Sequence, residues 1–448
     1  MLKKILFVIV LISYTVQSQT YVKGILDPAQ NFSWIVLYQL KGAKQLYVKN
    51  VTIKDGEFSI DFPENATKGM YRLMYSQQNG GFVDFIYNNE NIEVKFNPES
   101  PSDTVEFLTS EENIQYAKYL FEMANWRQEL DGHQISFFNI EDENERTELQ
   151  NKYLNSLKYF KDFQTKFEEN TEGKLANNFI KSSKIYYAPS LIKTPQEYLN
   201  SVKKHFFDFI NFEDEELMNS TFISEKVTDY VFYLNGSEDA EVQIVLYKNA
   251  VNEVLIKMQN VNFQNEILTT LLYNFAQLEN TILIDFIIEE YYNKLPEDLK
   301  NKQMIQDIQE KVKLAVGKLT PEITWQENGI TKNLSELDIA ENYIVVFWST
   351  GCSHCLVEIP QLYEFTKDKS DIHVLSFSLE NDDIEFNKHT LNFTKWTTIL
   401  GLNKWENPIA KSYQITSTPT YFVLDKNKKI IAKPNYFEDV KAFFKADE

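Results

Sequence analysis

The only two cysteines of this chain stand three positions apart, as Cys352-Ser353-His354-Cys355, where a strand pattern gives way to a helix pattern. Ile344-Val345-Val346-Phe347 is a continuous apolar run, the mark of a parallel strand covered on both faces. From Cys355 to Leu362 the apolar residues take the spacing of an amphipathic helix. A helix N-terminus presents unpaired N–H groups and the positive end of the macrodipole, and both stabilise a thiolate. The first cysteine is therefore expected to have a lowered pKa and to act as a nucleophile. The second is near enough to attack any mixed disulfide that the first forms. Strand, cysteine pair and helix in this order predict an α/β domain that performs thiol–disulfide exchange.

The surroundings extend the pattern. After a β segment at Ile323-Thr324-Trp325, a strand is predicted over 343–348, a helix over 352–368, a strand over 372–378 and a helix near 383–393. Asn407 to Tyr413 reads as a short helix. A strand over 420–425 pairs with one over 429–432 through the turn at Asp425-Lys426-Asn427-Lys428, and a last helix covers 436–445. Alternating strands and helices with a hairpin near the end is a thioredoxin-like order.

The rest of the chain is of two other kinds. Residues 19–107 read as an antiparallel β-sandwich, because Phe58, Ile60 and Phe62, then Tyr71, Leu73 and Tyr75, then Ile92, Val94 and Phe96 alternate between turn signals. Over 108–316 glycine and proline thin out, and Tyr153, Leu157, Phe160, Phe163 and Phe167 recur at helical spacing. That segment predicts an all-α bundle of roughly seven to nine helices. The cluster Phe206-Phe207-Asp208-Phe209-Ile210 is read as core. The thioredoxin-like part is then 317–448. Residues 1–18 resemble a secretory leader, with Lys3 and Lys4 before the apolar stretch Ile5 to Ile12 and a small-residue site at Val16-Gln17-Ser18. The apolar stretch is too short to span a bilayer and no cysteine follows it, so an exported, periplasmic protein without stable membrane insertion or lipid anchor is expected.

A formal net charge of −20 argues against nucleic acid and anionic membrane surfaces as partners. With no cysteine outside the pair, stability must come from packed cores, for which 33 Phe and 25 Tyr are available.

Two stretches carry a resemblance. Val346-Phe-Trp-Ser-Thr-Gly-Cys-Ser-His-Cys-Leu-Val-Glu-Ile-Pro360, and later Asn407-Pro-Ile-Ala-Lys-Ser-Tyr-Gln-Ile-Thr-Ser-Thr-Pro-Thr-Tyr-Phe-Val-Leu-Asp425, resemble exported thioredoxin-like proteins of the TlpA and ResA kind. The β segment and the stretch from Lys204 to Leu217 are similar to the sandwich and helical insert of multidomain Bacteroidetes proteins of this type. The resemblance implies a glutamate at Glu358 that handles the proton of the buried second thiol. It also implies a cis peptide before Pro419 that faces the cysteines, whose neighbour Thr418 pairs with an extended substrate. Trp348 is expected beside the pair, among the substrate-binding residues. Three positions depart from the pattern: Gly351 replaces a bulky residue, Leu356 a common lysine, and Ser353-His354 the more usual Gly-Pro or Pro-Pro.

Other readings stay open on the sequence. The pair can be a disulfide without turnover. Zinc lacks further ligands, because no second cysteine pair or histidine cluster completes a tetrahedral site, and His133, His205, His373 and His389 have no metal spacing. A peroxidatic cysteine has Ser349 in its favour and Val345 against it. Glu358 can be an ordinary first-turn acid, Pro419 a plain strand-starting proline and Trp348 core filling. His354 as imidazolium would stabilise the Cys352 thiolate and raise the reduction potential; neutral and solvent-facing, it would do little. The expected function is an exported protein thiol–disulfide oxidoreductase acting on cysteine-containing exported proteins, re-reduced by a membrane thiol donor and needing no cofactor beyond its own cysteines. The competing expectation is a non-enzymatic scaffold that uses the thioredoxin-like part as a docking module.

Overall fold

The computed structural model describes residues 19–29, 32–77 and 81–445, so the leader over 1–18 lies outside the described residues. The chain divides into two compact units, Met1–Thr270 and Leu271–Glu448.

The first unit begins with β1 (Tyr21–Leu26), β2 (Trp34–Lys41), β3 (Lys44–Thr52), β4 (Glu57–Asp61), β5 (Gly69–Met74), β6 (Phe82–Tyr87), β7 (Ile92–Phe96) and β8 (Glu106–Phe107). They form two four-stranded sheets, in the orders β4-β1-β7-β8 and β3-β2-β5-β6. Side chains of both sheets interdigitate in one core, and all nine alternating residues from Phe58 to Phe96 are buried in it. Phe62 stacks on Tyr87 with centroids 3.9 Å apart and meets Tyr71 edge-on at 5.4 Å. A fully buried aromatic of this kind stabilises by about 1.5–3 kcal/mol, and both cysteines of the chain are free thiols elsewhere, so this core stands without a staple. One detail differs from the expected antiparallel order. β1 and β7 pair in parallel, Val22 opposite Ile92 through Leu26 opposite Phe96.

The same unit continues with two long helices, Glu111–Phe138 and Glu143–Asn170. The second starts at Asp142, whose carboxylate caps the N–H groups of Asn144 and Glu145. Tyr153, Leu157, Phe160, Phe163 and Phe167 are all buried on one face of it. Shorter helices follow, including one-turn pieces such as Glu215–Met218 and a π-helix, Asp229–Leu234. Such pieces are too brief to leave a periodic stripe, so the region is more finely divided than its periodicity predicts. Of the cluster Phe206 to Ile210 only Phe207 is core; Phe209 is 36% exposed.

The second unit holds the helices Thr281–Glu290 and Lys302–Lys311 and then the α/β part. A small hairpin joins β9 (Thr324–Glu327) to β10 (Ile330–Asn333). The main sheet consists of β11 (Asn342–Trp348), β12 (Ile372–Glu380), β13 (Thr397–Leu402), β14 (Thr420–Asp425) and β15 (Ile430–Ala432), in the order β13-β12-β11-β14-β15. β11 is central, parallel to β12 and antiparallel to β14, and its last six residues are buried. Apolar cores lie on both faces of the sheet, which explains the unbroken apolar run of its middle strand.

Candidate functional site

The site forms where β11 ends. The chain leaves the sheet at Trp348, turns through Ser349 to Gly351 and starts the helix Ser353–Thr366. Cys352 is the N-cap of that helix, with φ −100° and ψ 117°, and its Sγ accepts the Cys355 N–H at 3.3 Å. The first thiol thus takes the place that a serine or aspartate oxygen fills in most helices. Its S–H donates to the Thr418 carbonyl at 3.3 Å. The Thr418–Pro419 peptide is cis, and Thr418 and Pro419 are half-buried at the mouth of β14.

The two thiols sit in unlike surroundings. Cys352 is partly exposed and Cys355 is fully buried against Trp348, Ile359 and Tyr421. Burial pushes the Cys352 thiol up, but hydrogen bonds from Cys355, Thr418 and the His354 N–H outweigh it, so the net shift is downward from the ordinary value. For Cys355 burial dominates and the neighbouring Cys352 adds to it, raising its pKa to about 12. Of the two sulfurs, the outer one ionises at the lower pH. Limiting iodoacetamide on the reduced protein should therefore alkylate Cys352 first. Because the thiolate reacts, that rate should reach half its maximum below pH 9.0, the ordinary thiol value, and level off above it. Cys355 should stay unmodified until the protein is unfolded, and early peptide-mapped label on Cys355 would reverse these roles.

Glu358 lies one turn after Cys355 and half-buried. Its Oε2 accepts two hydrogen bonds, from the Tyr421 hydroxyl at 2.9 Å and from the Phe437 N–H at 2.9 Å. Burial first, and then Glu358, push the Tyr421 phenol far above its ordinary value, and the charges of Cys355 and Cys352 act in the same direction. Tyr421 thus links Glu358 to the core cluster that also holds Cys355.

Trp348 is 1% exposed and its indole N–H donates to Ser376 Oγ at 2.7 Å. It supports the pair from inside the core and presents no surface to a substrate, which corrects its expected place in substrate binding. The His354 side chain is exposed at the second helical position, and only its backbone N–H is directed at Cys352. Leu356 and Val357, 40% and 58% exposed, form an apolar rim in the same turn. A Cβ on Gly351 would meet nothing nearer than Ser349 Oγ at 3.7 Å, so crowding does not demand glycine there.

One residue of the site escapes the motif reading. Glu380 ends β12, is 6% exposed, and accepts from the Thr350 N–H at 2.6 Å, Thr350 Oγ1 at 3.0 Å and Ser378 Oγ at 2.7 Å. It ties down the loop that delivers Cys352. The signal was available: Ser376, Ser378 and Glu380 alternate with Phe377 and Leu379 at the end of a mostly apolar strand, and polar groups are buried only where they have partners. Among the described residues no group of three or more His, Cys, Asp or Glu is placed to hold a metal ion, and no helix is long and apolar enough to cross a membrane.

The family described as thioredoxin-like matches residues 341–430. No curated protein matches the chain. Among solved structures, a domain of a possible thiol-disulfide isomerase from Cytophaga hutchinsonii is 30% identical, covering 30% of this chain and 93% of its own, with a TM-score of 0.27. The thioredoxin domain of a thiol-disulfide oxidoreductase from Bacteroides vulgatus is 28% identical over 29% of this chain and 98% of its own, with a TM-score of 0.25. A thioredoxin-like protein from Bacteroides caccae spans more, 59% of this chain and 98% of its own, at 16% identity and a TM-score of 0.37. Over residues 341–430 the chain therefore carries a thioredoxin-like domain, with the Cys352–Cys355 pair at the start of its first long helix.

Proposed function

We propose that this protein is an exported thiol–disulfide oxidoreductase that reduces or exchanges disulfides of exported proteins. The observation that carries the reading is the division of labour between the thiols: Cys352 partly exposed, capped and lowered, Cys355 buried and raised. The Cys352 thiolate attacks one sulfur of a substrate disulfide; an S–S bond to Cys352 forms, and the other substrate sulfur leaves with the electron pair and takes up a proton. Cys355 then loses its proton and attacks Cys352 Sγ. The second substrate sulfur leaves as a thiol, and the enzyme holds the disulfide, having passed on two electrons. A membrane thiol donor restores the pair. The half-buried edge at Thr418 and Pro419 receives an extended segment of substrate, whose N–H can replace the Cys352 S–H at the Thr418 carbonyl.

Cys355 must give up its proton inside the core, and Tyr421 with Glu358 is the polar path available to it. Glu358→Gln keeps the shape and removes the titrating carboxylate. Exchange should slow by up to about 10²-fold, the low end of general acid–base effects, with the melting temperature nearly unchanged. Equal rates for wild type and variant between about pH 5 and 9 would return Glu358 to a plain hydrogen-bond acceptor.

The test of the function itself is turnover with a small protein disulfide and an external thiol donor. Many substrate equivalents reduced per protein support the enzyme. One equivalent bound and none released supports the scaffold.

A further inference from the structure

The helical part of the first unit encloses a cavity of about 400 Å³, within the usual size range of small-molecule sites, roughly 300–1,000 Å³. We propose that it binds a small planar acid, an aromatic ring bearing one carboxylate, with Lys226 as the anion-binding group and tyrosines as the walls.

The walls argue for a flat, apolar body. Tyr186 stacks on His205 with centroids 3.8 Å apart and planes 20° from parallel, and Tyr198 and Phe206 add further ring surface. Tyr233, 78% exposed, stands at the mouth. It comes from the π-helix Asp229–Leu234, a rare widened turn that recurs at functional sites. Rings of this kind favour offset stacking with another flat ring.

The polar groups argue for an acid. Two of the cations lining the cavity are already matched, Lys184 with Glu168 at 3.0 Å and Arg127 with Asp131 at 3.5 Å, and the His205 ring is hydrogen-bonded to Asp208 at 2.6 Å. Lys226 forms no ion pair among the described residues. Its Nζ lies instead 5.8 Å from the Phe206 ring centre and 5.7 Å from that of Phe222. Burial pushes its pKa down, and Arg127 nearby adds to that, while Asp229 and Glu225 only partly offset it. Asp229 lines the same cavity, and burial pushes its own carboxyl up, so its charge offsets the Lys226 ammonium only in part. A half-buried ammonium in this state gains from a carboxylate more than a surface lysine does. A second group points the same way. The Tyr187 hydroxyl is buried and makes no hydrogen bond of normal geometry, its interaction with the Asp131 carboxylate being a loose one. Burial keeps that phenol protonated, so it is a donor free to turn to a better-placed acceptor. A carboxylate that takes Lys226 with one oxygen and Tyr187 with the other would satisfy both.

The test is titration calorimetry of the full chain with 2-naphthoate and, separately, its neutral amide 2-naphthamide. The acid should bind saturably at one site, about tenfold or more tighter than the amide, the ratio expected of one charge-assisted contact. Lys226→Gln should bring the acid down to the level of the amide, and Tyr187→Phe should weaken the acid more than the amide. Lys226 has no part in the thiol chemistry, so Lys226→Gln should exchange disulfides at the wild-type rate, which keeps this inference separate from the proposed function. The acid-to-amide ratio is measured on the unaltered protein and does not depend on how the variants fold. Equal binding of acid and amide, or no saturable binding of the acid, overturns the proposal.

Discussion

Cys352→Ser should lose disulfide turnover by at least about a thousandfold, as when other enzymes lose their nucleophile. Cys355→Ala should do something different. It keeps the helix-capping thiol that attacks first and removes the thiol that resolves, so a mixed disulfide to Cys352 should accumulate. Non-reducing electrophoresis of protein incubated with a disulfide substrate checks both at once: no adduct for Cys352→Ser, a stable and reducible adduct for Cys355→Ala. The asymmetry comes from the observed surroundings. Cys352 caps the helix and is partly exposed, whereas Cys355 is sealed under Trp348, Ile359 and Tyr421. An adduct on Cys355, or equal turnover by wild type and Cys352→Ser, would remove Cys352 as the attacking thiol and with it the proposed mechanism.

How far the sequence discloses this molecule depends on what each feature needs in order to be seen. The sandwich strands are legible because one face of each is buried and the other is wet, so a period of two is written into Phe58, Ile60 and Phe62. The long helix from Glu143 is legible for the same reason at a longer period. The parallel pairing of β1 with β7 has no local signature, since it joins segments far apart in sequence. Strand β13 escapes because Gly401 reads as a breaker. In the fold a Cβ at that position would lie 2.1 Å from the Phe377 ring, so the glycine is what lets the two strands pack. The β9–β10 hairpin was within reach: Asn328-Gly329 is a favoured two-residue turn, and both residues adopt positive φ, 51° and 78°. At the site, the cysteine pair stands out by its spacing, and Glu358 by the resemblance of its motif to proteins of the TlpA and ResA kind. Glu380 was within reach through the alternation of Ser376, Ser378 and Glu380, whereas Tyr421 becomes visible only through the partner that tertiary structure supplies.

Glu380 gives the second large effect, and two variants separate its possible roles. Glu380→Ala strips the acceptor from Thr350 N–H, Thr350 Oγ1 and Ser378 Oγ at once. An orphaned buried donor costs about 1–3 kcal/mol, and the two hydroxyls can rotate to other acceptors while the N–H cannot. A loss of about 2 kcal/mol is the central expectation, equivalent to a melting shift of about 4–8 °C for a unit of this size. The loop that carries Cys352 should loosen with it, so the hydrogen bonds holding its thiolate weaken and its pKa rises toward 9.0, seen as later thiolate absorbance in a pH titration at 240 nm. Glu380→Gln keeps an acceptor oxygen for the Thr350 N–H but removes the charge. Glu380 is not among the groups that set the Cys352 titration, so this variant should leave the titration in place and lose much less stability. If instead the glutamine variant lowers the Cys352 pKa as a lost negative charge would, Glu380 acts on the thiol through its field and not by holding the loop.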